Sequence, residues 1–316
     1  MTTPLIEMES ADSNTITVFS PAKVNLWLEV LGRRDDGFHE IVSLMVPTGL
    51  KDRLSLKFET KSDHLSVPEG GAPTGRKNLV LQALDLARKT RPIPPLRIEL
   101  SKKIPAEAGL GGGSSNAAAM LTCLHQRYPD PRGLQGVFKD AASLGSDIAF
   151  FLGTGPGVVR GRGEILEPVE KPLFEGISAH VCIWYPGFGL STAAVYQQLS
   201  GPLTSSPSCR NFNIKNFQQS SEGFQFLFNR LFDGARQLDS RITLIADMLE
   251  AQFPGRWIMT GSGSGFVIVA ENLEASESDA ALLKGEIDSG VLDVDSSSES
   301  RIQDKGIFVV PLQTQP

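Results

Sequence analysis

Cysteine is scarce in this 316-residue chain: Cys123, Cys182 and Cys209 lie far apart, with no Cys-x-x-Cys pair. A zinc cluster or a disulfide framework is therefore not expected to organise the fold, and a reducing cytoplasm is the natural compartment. Cys123 and Cys182 read as small apolar core residues. Positive charge is not in excess either. The balance of 30 basic against 36 acidic residues gives a net charge of −6, which argues against a nucleic-acid-coating surface but not against a local cationic pocket for a phosphorylated ligand. No apolar run is long enough for a transmembrane helix. Met1–Asn14 carries Glu7, Glu9 and Asp12 without an apolar stretch, so it reads as neither a signal nor a transit peptide. No internal repeat is visible. The expected state is soluble and cytoplasmic, with no nucleic-acid or membrane partner.

What is present supports a packed core. Hydrophobic residues make up 41% and charged residues 21%, the balance of a globular protein. The length suits one large domain or two ordinary ones. Thr15–Phe19 reads as a strand interrupted by Pro21. From Ala22 to Leu31, Val24, Leu26, Leu28 and Val30 alternate with Lys23, Asn25, Trp27 and Glu29. Gly32–Gly37 is a charged turn, and Ile41–Val46 and Arg53–Phe58 read as two further strands. Helical spacing appears in Asn78–Lys89, about Ser115–Gln126 and Leu134–Leu144, the last stopped by Gly145. Leu96–Leu100 and Val158–Gly163 have strand character.

Composition shifts near Glu167–Gly176, which predicts a boundary between residues 1–170 and 171–316. Beyond it come a strand His180–Tyr185, a Ser/Pro/Asn-rich loop Thr204–Asn213, helices Phe224–Phe232 and Arg241–Gln252, and a strand–turn–strand unit over Trp257–Ala270. Glu274–Asp304, acidic and serine-rich, reads as a partly mobile insertion before a last strand, Ile307–Pro311.

The strongest chemical signal is residues 105–121, PAEAGLGGGSSNAAAML. Gly109, Gly111, Gly112 and Gly113 precede Ser114, Ser115 and an Ala-rich helix. Glycine lets backbone approach an anion, and a helix start offers free N–H groups and a favourable dipole. The serine hydroxyls suit a phosphate oxygen or a metal ion held by it. A P-loop needs Lys-Ser/Thr after the glycines, and Ser-Ser-Asn stands here instead. The dinucleotide fingerprint fails on spacing, and the region near 130, Tyr-Pro-Asp-Pro-Arg, is a turn rather than the strand end where its later acidic residue should stand. A tight helix start with no ligand is the bland alternative, and the glycine run with two serines outweighs it.

This loop resembles the second motif of the galactokinase, homoserine kinase, mevalonate kinase and phosphomevalonate kinase superfamily. Three further stretches resemble the branch that acts on 4-diphosphocytidyl-2-C-methyl-D-erythritol. They are PAKVNLWLEVLGRRDDGFHE from Pro21, LGSDIAFFL from Leu144 running on to Gly161–Glu164, and TGSGSG from Thr260. The likeness runs from about Pro21 to Ala270, most of the chain. It implies an α+β kinase fold of two domains with a deep cleft between them. It also implies ATP and Mg²⁺ as reactants, and transfer of a phosphoryl group to the 2-hydroxyl of the cytidylyl alcohol in the non-mevalonate route to isoprenoid precursors. No carboxylate identifies itself as a metal ligand.

Residue roles follow from the same resemblance. Asp147, by sequence alone a helix cap, matches the catalytic aspartate. Lys23, otherwise a surface lysine, matches the cation that stabilises the alkoxide and keeps Asp147 ionised. Asn25 orients the hydroxyl or the base. Pro105, Ala106, Glu107, Ala108, Gly109, Leu110, Gly111, Gly112, Gly113, Ser114 and Ser115 form the ATP loop, with Asn78 and Lys102 on the nucleotide side. Phe38 and Tyr196 are expected to sandwich cytosine while His39 bonds its edge. Glu107 departs from the small residues usual there, and its carboxylate, which would repel phosphate, is expected to point outward. Ala149 stands where proline is common. A homoserine or mevalonate kinase is disfavoured by Asp36–His39, a catalytically dead nucleotide binder by Lys23 and Asp147, and an oxidoreductase by the failed fingerprint.

Overall fold

The computed structural model describes residues 4–10, 12–69, 71–199, 212–218, 221–289 and 306–315. The first sheet is built on two long antiparallel strands, β2 (Thr15–Arg33) and β3 (His39–Lys57), preceded by β1 (Glu7–Ser10). With β4 (His64–Glu69) and β5 (Arg97–Ser101) the path runs β1-β2-β3-β5-β4. Pro21 does not break β2. It sits at a register shift, Pro21 opposite Lys51 and Lys23 opposite Pro47, so the proline is absorbed as a bulge and the strand continues. The two strands expected over 41–46 and 53–58 are likewise one. Both faces of β2 are covered: Val24, Leu26 and Val30 enter the core, while Lys23 and Asn25 are buried on the other side.

Helices α1 (Leu79–Arg88), α2 (Gly112–Arg127), α3 (Gly133–Leu144) and α4 (Ile148–Phe151) follow within this half. Ala117, Ala118 and Ala119 in α2 are fully buried, and their small side chains let the helix lie close to β2 and α1. β6 (Gly157–Gly161) pairs with β3 and with β7 (Ile165–Pro168).

The second sheet is antiparallel, in the order β10-β11-β8-β12. Its members are β8 (His180–Trp184), β10 (Trp257–Met259), β11 (Phe266–Ala270) and β12 (Ile307–Pro311). In this half lie α5 (Thr192–Gln197), α6 (Lys215–Gln218), α7 (Leu231–Leu238), α8 (Ser240–Gln252) and α9 (Leu273–Asp288). A two-residue strand β9 (Phe228–Asn229) returns to pair in parallel with β2 at Trp27 and Leu28. Ala22, Val24, Leu26 and Val46 share one apolar cluster with Val181, Ile183, Val267 and Val269, so the two sheets bury part of their surface together.

The acidic segment differs from expectation. Residues 273–288 are helical: Asn272 caps the helix through Ala275 N (2.9 Å), and Ser276, Asp279 and Leu283 recur at helical spacing on its buried side. Residues 290–304 of the expected insertion, and most of the Thr204–Asn213 loop, lie outside the described residues. Cys123 and Cys182 are fully buried, and burial pushes both thiols up to about 12.

Candidate active site

The segment Pro105–Gly111 connects β5 to α2. Gly109 and Gly111 both take φ of 71°, and Gly111 is the left-handed residue before the first turn of α2. A Cβ on Gly109 would stand 2.0 Å from the Thr260 carbonyl oxygen. One on Gly111 would press on the Phe151 ring and Lys23 Cε (3.0–3.2 Å), and one on Gly112 would meet Ile104 Cγ2 and Lys102 Nζ at 2.9 Å. Gly113 alone of the four would take a Cβ without crowding, its nearest neighbour Leu79 Cδ1 at an ordinary contact distance of 3.6 Å. Three of the glycines thus serve close packing under the loop, and that packing leaves the first turn of α2, whose amides lack intrahelical partners, on the cleft wall. Ser114 is half-buried beside the cleft; Ser115 is fully buried and its Oγ has no hydrogen-bond partner. Pro105, Ala106, Ala108 and Leu110 also line the cleft. Glu107 is exposed, has φ of 56°, and turns against Gly189 on the facing wall. Its charge helps raise the Tyr185 hydroxyl, after burial, which has the larger effect.

The two nucleotide-side candidates are held by neighbours. Lys102, buried at the cleft edge, pairs with Asp52 and donates to Asn116 Oδ1 (3.2 Å). Asn78 caps α1 through Val80 N (2.9 Å) and donates to Pro73 O (2.7 Å), and it does not line the cleft.

Lys23, Asn25 and Asp147 come together. Lys23 Nζ donates to Asn25 Oδ1 (2.6 Å) and Gly109 O (2.9 Å), and lies 3.4 Å from Asp147 Oδ2. Asn25 is locked on both sides: its Nδ2 donates to Ser43 Oγ (2.7 Å), and its backbone N donates to Thr260 Oγ1 (3.0 Å). Asp147 stands before α4 yet makes no side-chain cap bond, so its carboxylate is directed at Lys23. Gly163 lies against it; a Cβ there would be 3.6 Å from Asp147 Oδ1 and 3.2 Å from Ser146 Cβ. The expected charge pair is therefore formed, in a site three-tenths exposed at the aspartate and nearly closed at the lysine.

Thr260–Gly265 is both a turn and a support. Thr260 N donates to Gly265 O (2.9 Å), and Gly265 N donates to Ala108 O (3.2 Å), joining this turn to the glycine loop. Asn229 Nδ2 ties it from below, donating to Met259 O (2.6 Å) and Gly261 O (2.7 Å).

The aromatic candidates line the same cavity in an arrangement the sequence did not suggest. His39 itself stacks on Tyr196, with ring centroids 4.7 Å apart and planes at 25°. Phe38 is half-exposed with the Arg162 guanidinium over its ring at 4.7 Å. The rings are thus arranged as a His39–Tyr196 stack beside a Phe38 ring covered by Arg162. Burial, with Arg33 nearby, lowers the His39 pKa from its ordinary value and favours the neutral ring. Burial, then the Asp147 charge, raises the Tyr196 hydroxyl.

Arg162, Ser43 and Thr260 escaped the sequence reading as site residues. Arg162 had a signal, a cation between two glycines in a stretch already singled out; Ser43 had none, being one polar residue within an apolar strand.

Lys23, Asn25, Asp147, the glycine loop, Phe38, His39, Tyr196 and Arg162 face one cavity of about 1170 Å³, more than the roughly 300–1,000 Å³ of a single-ligand pocket. A glycine loop at a helix start, a Lys–Asp pair beside it and room for two ligands define a small-molecule kinase. Residues 78–155 match the family described as GHMP kinases N terminal domain. A 4-diphosphocytidyl-2-C-methyl-D-erythritol kinase of Protochlamydia amoebophila is 36% identical over 260 residues, covering 81% of this chain and 85% of that protein. One of Thermotoga maritima is 35% identical over 275 residues, covering 82% and 93%. A crystal structure of 4-(cytidine 5'-diphospho)-2C-methyl-D-erythritol kinase superposes with a TM-score of 0.68 at 30% identity, covering 94% of this chain and 99% of that one. The chain belongs to the 4-diphosphocytidyl-2-C-methyl-D-erythritol kinase family.

Proposed function

We propose that this protein transfers the γ-phosphoryl group of ATP to the 2-hydroxyl of 4-diphosphocytidyl-2-C-methyl-D-erythritol. The observation that carries this reading is the Lys23–Asp147 pair, 3.4 Å apart, in a cleft with the glycine loop on one side and Phe38, His39 and Tyr196 on another. Phosphoryl transfer needs alignment and charge stabilisation more than covalent help. The amides at the start of α2 hold the ATP phosphates. The alcohol oxygen forms the new bond to the γ-phosphorus, the bond to the ADP oxygen breaks, and the hydroxyl proton passes to Asp147. Lys23, kept in place by Asn25 and Gly109 O, stabilises the developing alkoxide.

Mg²⁺ enters with ATP. Among the described residues no group of three His, Cys, Asp or Glu could hold a metal ion. The Ser114 and Ser115 hydroxyls are the nearby oxygens. Phe38 and His39 take the cytosine, by stacking and by an edge hydrogen bond, and Arg162 over Phe38 and Arg33 opposite His39 are cations beside them for the diphosphate. The cleft then lies between a domain of residues 1–170 and one of 171–316. No helix among the described residues is long and apolar enough to cross a membrane, and the two buried free thiols suit a reducing cytoplasm. ADP release with the cytidylyl alcohol, homoserine and mevalonate in parallel tests the reading: turnover confined to the first is expected, and equal or greater turnover of another would overturn it.

A further inference from the structure

Beneath the glycine loop lies a buried carboxylate to which the reaction as described gives no part. Asp52, in β3, has no exposed surface. Its Oδ1 accepts from Lys103 N (2.7 Å) and Ile104 N (2.9 Å), the two amides just before Pro105. Its Oδ2 accepts from Lys102 Nζ and from Asn116 Nδ2 (2.9 Å). Asn116 lies in α2 one turn beyond Gly112 and also donates to Ser20 Oγ (2.8 Å) in the neighbouring strand. One side chain therefore fixes the chain on both sides of the loop: the strand end that leads into it and the helix that leads out. The ammonium it holds lies where a Cβ of Gly112 would be, 2.9 Å away, against the first turn of α2.

We propose that Asp52 is a positioning residue for ATP, setting the spacing between Lys103–Ile104 and α2 and holding the Lys102 ammonium beside the amides that receive the phosphates. A buried carboxylate is costly unless paired and fully hydrogen-bonded, and here all four donors converge from the loop's two flanks. A carboxylate that only stabilised the sheet would have no reason to gather both. Lys102 is consequently not a free cation: two of its three N–H groups are committed to Asp52 and Asn116, which fixes where its charge stands relative to the helix start. The inference rests on the reading of residues 105–115 as the ATP loop.

Asp52→Asn keeps an acceptor for the two amides but presents an NH₂ to Lys102 and Asn116. Asn116→Leu removes one strut at nearly constant volume and serves if the first variant does not fold. Steady-state constants for ATP and for the cytidylyl alcohol are measured with the melting temperature. The expected result is a KM for ATP raised ten-fold or more in each folded variant, with KM for the alcohol changed less than two-fold. An unchanged KM for ATP in a folded variant, whatever its melting temperature, would overturn the proposal. So would equal rises for both substrates. Failure of the wild-type protein to bind ATP by calorimetry would strike the loop assignment itself, and is thereby distinguished from failure of Asp52 alone.

Discussion

Asp147 precedes α4 without capping it, and that separates its two possible duties. Asp147→Asn costs α4 no cap bond, so any fall in melting temperature should come only from Lys23 losing its charge partner. Loss of the proton acceptor should cut turnover by roughly two to four powers of ten, with both substrates still bound. Near-normal turnover would remove Asp147 from the chemistry. Phe38 can be judged the same way. Its ring is 50% exposed under Arg162, so it is not a core residue, and Phe38→Ala should not lower the melting temperature. Base stacking is worth about 1–3 kcal/mol by alanine substitution, so affinity for the cytidylyl substrate should fall by roughly one to two powers of ten while ATP affinity holds. Isothermal titration of the two ligands checks this; unaltered affinity for the cytidylyl substrate would sink the assignment. The identities of Lys23, Asn25 and Asp147 were legible because their motifs are local. Their partners Ser43 and Thr260 were not, since Ser43 is polar within an apolar strand and only the fold brings the Thr260 side chain, at the start of the TGSGSG turn, to Asn25.

At the scale of elements, the glycine loop was legible as a helix start, but not which way each glycine faces. From sequence alone, a carboxylate placed at Gly112 should occupy the phosphate position. In the fold that side chain would instead strike Ile104 and Lys102 beneath the loop, so its damage would be structural. Gly113 is the informative position, because it lines the cleft and a Cβ there would meet Leu79 only at ordinary contact distance. Gly113→Asp puts a negative charge at the first turn of α2, which favours the helix itself by about 0.3–1 kcal/mol. The variant should melt no lower than the wild type yet lose ATP affinity at least ten-fold by calorimetric titration. Undiminished ATP binding would show that this turn is not the phosphate site. The strands show the opposite limit. Pro21 reads as a break because proline cannot donate to a ladder, and the bulge that accommodates it is set by pairing with β3, more than 25 residues away in sequence. The helix over 273–288 was hidden by its serines and acids, though Ser276, Asp279 and Leu283 keep helical spacing on the buried side.

For the whole molecule, the cleft draws on residues from Lys23 to Gly263, so the site exists only while both sheets are assembled, and conditions that loosen the fold anywhere act on catalysis. Acid is one such condition. The carboxyls of Asp63, Asp130 and Asp239 are all held below the ordinary 3.8, foremost by hydrogen bonds from Arg88, Arg132 and Arg241. Asp130 is the most embedded: its side chain has no exposed surface, it accepts from Arg132 Nη2 (2.7 Å), and it lies 3.6 Å from the buried Arg91. A carboxyl with a depressed pKa binds fewer protons folded than unfolded. Stability from it is complete above the unfolded value and drains away as pH falls through that value toward the folded one. Asp130→Asn removes this term and leaves Arg91 without its charge partner, at a cost of about 3–5 kcal/mol near neutrality if the pair behaves as buried pairs do. Urea unfolding of both proteins from pH 7 to pH 2.5 should then give two curves that are separated and parallel down to about pH 4.5 and converge below it. The wild type has the steeper acid slope because only it has Asp130 to protonate. Curves that stay parallel to pH 2.5 would mean that Asp130 does not titrate with unfolding in this range, and the acid sensitivity would then have to be sought at Asp63 and Asp239.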